Sequence, residues 1–133
     1  MNNLFEESVK LATASKTCAV GNDLVFLPNF QLSFTEEFKG KAYTQAEKDY
    51  CDQFKDSLLR YASTWAAKEA VYKAVKQLDE SVAGWKKIEI TRKRNAGEPQ
   101  VTLHQFPAAF KISLTISHDG DYVWAIALVE RER

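Results

Sequence analysis

Two carboxylates and two lysines occupy positions that break the pattern around them. Asp23 lies within CAVGNDLVFL (18–27), a short apolar stretch that ends at Pro28. Glu69 lies within STWAAKEAVYKAV (63–75), among alanines, with Lys68 before it and Lys73 four residues after it. That spacing puts Glu69 and Lys73 on one helical face, with Trp65 a turn earlier. A third irregularity is SHDGD (117–121), set between two apolar runs. A carboxylate held in apolar surroundings must be paired, protonated or bound to a metal. Two such carboxylates converging with room for water suit Mg²⁺, which takes few protein ligands and accepts phosphate oxygens as the rest. Lysines beside such a site neutralise phosphate charge that the metal leaves uncovered. One at a time, each residue also has a plainer reading. Asp23 reads as a turn or bulge residue after Gly21–Asn22, Glu69 and Lys73 as a surface ion pair, and His118 and Asp119 as turn residues beside Gly120. Residue chemistry alone supports a divalent-metal phosphate site and names no substrate.

The elements that must position these residues are legible as a strand, then helices, then four strands. The apolar run 18–27 reads as a strand buried on at least one face. FTEEFKGKAY is short and broken by Gly40, and Thr44 with Glu47 three residues on forms a capping-box signature at the next helix start. Asp56 or Ser57 can cap a long helix over roughly 57–78. In it, Ala62, Ala66, Ala70 and Ala74 form a stripe of small residues that another element can approach closely. After Gly84 the period changes. WKKIEITRK and QVTLH alternate around NAGEP, which predicts a hairpin; QFPAAF reads as a helical turn or loop. KISLTIS and YVWAIALVE flank HDGD as a second hairpin whose last strand is apolar enough to be central. The fold class is α+β, a long helix packed on an antiparallel sheet, with one domain over residues 1–133.

Composition narrows the function. The 133 residues carry 18 basic and 18 acidic side chains, so no global basic field points to nucleic acid. No apolar run approaches a membrane span, and MNNLFEESVK has neither the basic start nor the long apolar core of a signal peptide. Cys18 and Cys51 make no metal spacing and no disulfide framework, which points to a reduced, cytoplasmic protein.

Four ordered motifs resemble the 4′-phosphopantetheinyl transferases, in particular the short holo-acyl-carrier-protein synthase type. GNDLV (21–25) is similar to the family's Gly-Ile-Asp strand, and WAAKEAVYK (65–73) matches every fixed position of its Trp/Phe-x-x-Lys-Glu-Ala-x-x-Lys helix. IEI, GEP (97–99) and VTL resemble its strand, Gly-x-Pro turn and following strand. LTISHDGDYVWAIALV supplies the closing Ser-x-Ser-His pattern through Ser117 and His118. The segment FTEEF…AYTQAEKDYC resembles the family's Phe-x-x-Arg-x-x-Thr-x-x-Glu region more loosely. Asn22, Thr64 and Lys76 depart from the pattern: Asn22 stands in place of an apolar residue, and Thr64 where the short enzymes commonly carry arginine.

The resemblance implies that coenzyme A is the donor and a serine hydroxyl of an apo carrier protein the acceptor, with 3′,5′-ADP released. It implies Asp23 and Glu69 as ligands of Mg²⁺, or of Mn²⁺ in its place, and Glu69 as proton acceptor for the serine. Lys73 would bind the pyrophosphate and stabilise its leaving portion. Lys68 and His118 would hold coenzyme A phosphates, and Ser117 and Pro99 would line the nucleotide site. It further implies a homotrimer with shared sites. The alternative is a catalytically silent relative that binds a carrier protein or nucleotide; the presence of Asp23, Glu69 and Lys73 together argues for transfer.

Overall fold

The computed structural model describes residues 3–7, 16–81, 84–92, 97–106 and 109–132. Strand β1 (Cys18–Phe26) leads into α1 (Leu27–Ser33), α2 (Glu36–Ala42), α3 (Gln45–Asp52) and the long helix α4 (Ser57–Lys76). A 3₁₀ turn at Trp85–Lys87 precedes β2 (Ile88–Arg92), β3 (Pro99–Leu103), β4 (Phe110–Asp119) and β5 (Tyr122–Arg131). The strands form two antiparallel units, a three-stranded sheet in the order β1-β5-β4 and a separate β2-β3 ribbon. β5 is the central strand, as its apolar sequence predicts. Gly40 does not break its segment; α2 runs through it, with the glycine on an open surface. The ends of QFPAAF are described, but Pro107 and Ala108 lie outside the described residues, as do Asn95 and Ala96 of the NAGEP turn.

Alternation along β1 sends Ala19, Gly21, Asp23 and Val25 inward and leaves Val20 and Leu24 outside. The inner face packs on α4, whose Ala62, Ala66, Ala70 and Ala74 are all fully buried. Gly21 explains the alanine stripe: a methyl group there would lie 2.0 Å from the Ala70 carbonyl oxygen and 2.8 Å from the Ala74 nitrogen. Strand and helix backbones therefore approach as closely as chain can, and Asp23, two residues along the strand, arrives beside the helix turn that carries Glu69. Val123, Ala125, Ala127 and Val129 of β5 complete the wall of this core.

The predicted capping box is present. Thr44 Oγ1 accepts from the Glu47 backbone N–H at 3.2 Å, and Glu47 Oε1 accepts from the Thr44 N–H at 2.8 Å. Asp56 stands at the N-cap position of α4 without capping it; its carboxylate pairs instead with Arg60 at 3.3 Å.

Candidate active site

Asp23 is 8% exposed, and its Oδ1 accepts a hydrogen bond from Lys73 Nζ at 2.9 Å. The same ammonium donates to the Asn22 carbonyl at 3.1 Å. Glu69, half-buried on the neighbouring helix turn, shares a hydrogen bond with Asp23. Burial first, then that hydrogen bond and the Asp23 charge, push the Glu69 carboxyl up to about 8; Lys73 pulls the other way. Two carboxylates thus meet against one ammonium. This pair borders a cavity of about 360 Å³ lined by Phe26, Phe30, Phe38 and Trp65. Trp65 is fixed there by edge contact with Phe38, at 5.0 Å between ring centroids, and by Trp85 at 4.7 Å.

Among the described residues, no three His, Cys, Asp or Glu side chains gather as a metal-binding group. Two converging carboxylate oxygens and adjacent open volume suit a hard divalent cation that draws its other ligands from water or phosphate, so the donor set fits Mg²⁺. A fully caging ion would not be served.

The remaining predicted residues fall into three places. Pro99 and His118 line a second cleft, of about 260 Å³, together with Arg60, Ser63 and Arg92. Sequence reasoning passed over both arginines, although Arg92 sits directly opposite Pro99 in the β2–β3 register. Arg60 is held by Asp56 and lies 4.0 Å over the Phe54 ring. Ser117 does not join this cleft. Adjacent strand residues face opposite sides of a sheet, so Ser117 lies on the outer face across from Trp124 while His118 turns inward.

Lys68, expected beside a phosphate, lies in the closed interior of the chain. Its side chain is fully buried, and Nζ donates to Glu47 Oε1 at 2.7 Å and to the Ile88 carbonyl at 2.6 Å. Burial draws its pKa down, with Glu47 opposing. The signal was in the helix period: Tyr61, Thr64, Lys68, Val71 and Val75 form one i, i+3/i+4 row, and the whole row is buried.

Residues 19–127 match the model of the 4′-phosphopantetheinyl transferase superfamily. The chain is 33% identical over 114 residues to a holo-[acyl-carrier-protein] synthase of Chlorobaculum parvum, covering 84% of this chain and 97% of that protein. It is 39% identical over 120 residues to the fatty acid synthase alpha subunit hexA of Dothistroma septosporum, covering 84% of this chain but only 7% of that subunit. A second sequence of that name from the same species is matched over 34% of its length. The solved ACPS–CoA complex of Chronobacterium ammoniagenes superposes with a TM-score of 0.74 at 28% identity, covering 89% of this chain and all of that one. The chain belongs to the 4′-phosphopantetheinyl transferase superfamily and is of the holo-acyl-carrier-protein synthase type.

Proposed function

We propose that the chain transfers the 4′-phosphopantetheine group of coenzyme A to a serine hydroxyl of an apo acyl carrier protein, releasing 3′,5′-ADP. The convergence of Asp23, Glu69 and Lys73 beside an open cavity carries this reading, in a chain whose relatives bear the holo-synthase name. The serine oxygen forms a bond to the β-phosphorus of coenzyme A, and the bond from that phosphorus to the 3′,5′-ADP oxygen breaks. The serine proton passes to Glu69, directly or through a water. Lys73 carries its charge to the leaving phosphate oxygens, where positioned cations act most strongly. Asp23 and Glu69 would hold Mg²⁺, or Mn²⁺ in its place, which would supply further positive charge against the phosphates. Arg60, Arg92 and His118 place basic groups around Pro99 for the nucleotide end of the donor. The fatty-acid type of carrier is the one the hexA relatives support. Both cysteines are free thiols, which fits a cytoplasmic setting; among the described residues no helix is long and apolar enough to cross a membrane.

Each site is completed by a neighbouring chain in a homotrimer. Arg60 and Glu69 are nine residues apart on α4, so they face opposite sides of the helix and stand about 14 Å apart along its axis. The cleft and the acid pair of one chain therefore open on different flanks. The outer face of the β1–β5 pair exposes Val20, Leu24, Trp124 and Leu128, an apolar surface suited to burial between copies. Incubation with coenzyme A, Mg²⁺ and an apo carrier, followed by mass spectrometry of the carrier, tests the transfer. A carrier left unmodified with every divalent cation supplied sinks it, and a fully active species with the mass of one chain in light scattering sinks the shared site.

A further inference from the structure

We propose that Lys68 serves the transfer as a positioning residue, acting through Glu47 and strand β2 on the two flanks of α4. The proposal rests on reading the site as a phosphopantetheinyl transferase centre. Lys68 immediately precedes Glu69, yet its ammonium points the other way, into a region with no exposed side-chain surface at either Lys68 or Glu47. The Glu47 carboxylate gathers three donors. Oε1 accepts from Lys68 Nζ and from the Thr44 N–H, and Oε2 accepts from the Ile90 N–H at 2.8 Å. Lys68 returns a second bond to the Ile88 carbonyl. One ion pair thus ties the first turn of α3, the middle of α4 and two alternate residues of β2.

That strand is the one that matters to the second cleft, because it carries Arg92 and is paired with the strand that begins at Pro99. The contact sets how far the ribbon stands from the helix, and so where Pro99 and Arg92 lie relative to Arg60 and Ser63. On the helix side it fixes the rotation of the turn from which Glu69 and Lys73 project. A buried ion pair is a poor device for stability alone, since apolar residues of similar volume do as well or better; its directional bonds fix geometry. A coenzyme A phosphate reaching Lys68 would have to enter the closed interior and displace both acceptors.

Transfer kinetics and amide hydrogen exchange on Lys68→Met, Glu47→Gln and the double variant test this in the full chain. Each single variant is expected to lower kcat by roughly tenfold or more, with KM for coenzyme A within about twofold. The double variant should be no worse than the poorer single one, as for residues acting through one contact. The Ile90 amide should exchange faster in all three. Three results overturn the proposal: Lys68→Met raising KM for coenzyme A while Glu47→Gln leaves it unchanged, wild-type kcat in either single variant, or undiminished Ile90 protection. If Lys68→Met fails to fold, the double variant, which leaves no lone buried charge, is judged on the same kcat and KM split. Absence of transfer by the wild-type chain would count against the proposed function instead, and the Ile90 exchange would still decide the strut.

Discussion

Raising the pH of the metal-free protein from about 5.5 to 8 should destabilise it, and Mg²⁺ should reverse the loss. Glu69 is the reason: its carboxyl is pushed from the ordinary 4.5 up to about 8, by burial first and by Asp23 second. A folded-state pKa above the unfolded value means that the folded chain binds more protons between those limits. Stability is therefore greatest below the unfolded value and declines as pH rises through the window. Carried in full between about pH 5.5 and 8, the displacement would amount to about 3 kcal/mol at about 1.4 kcal/mol per pH unit. Glu69 is only half-buried, and water screening reduces this to roughly 2 kcal/mol. For a chain of this length that is a fall in Tm of roughly 5–10 °C.

The assay is thermal unfolding in EDTA across that range, with Glu69→Gln as the control, since glutamine cannot ionise. Asp79 and Glu89 do not confuse the result: local hydrogen bonds hold both carboxyls below their usual values, so they titrate on the acid side of the window. Wild type should lose stability while Glu69→Gln holds, and Mg²⁺ at pH 8 should raise the Tm of wild type alone by binding the folded state. Parallel curves for the two proteins would refute the assignment of Glu69 as the strained carboxyl.

Asp23→Ala and Glu69→Ala should each abolish transfer while far-UV circular dichroism stays that of wild type; near wild-type turnover in either removes it from the metal pair. Lys73→Ala should lower kcat by roughly a hundredfold or more, as when one charge-stabilising donor is lost. An effect confined to KM for coenzyme A would make Lys73 a binding residue. Gly21→Ala should cost about 1–3 kcal/mol or more in denaturant unfolding, because its methyl group would meet helix backbone that cannot swing aside.

What the sequence made legible was whatever depends on local period. Thr44 and Glu47 announced their capping box, the alanine stripe announced a close partner, and the apolar character of YVWAIALVE announced a central strand. Contacts between distant segments were another matter. Two of the three bonds of the Glu47 carboxylate come from residues 21 and 43 positions away, and no spacing rule reaches them. The motif also hid which way Lys68 points, because adjacency to Glu69 in sequence means about 100° of rotation on a helix. Ser117 and His118, quoted together in one motif, are neighbours on a strand and so face opposite ways.

The acid pair itself depends on the residue that does no chemistry. Asp23 and Glu69 lie on different elements 46 positions apart, and like charges do not draw two elements together. What brings them into contact is the absence of a side chain at Gly21 and the shortness of those at Ala70 and Ala74, which let strand and helix backbones touch. Burial first, and then the neighbouring Asp23, raise Glu69, while Lys73 pairs with the Asp23 carboxylate. The cost of holding two carboxylates together is met by packing along the whole strand–helix seam, not by the pair. The two carboxylates are thus held together by the seam, and a bulkier residue at Gly21 would separate them without altering either one.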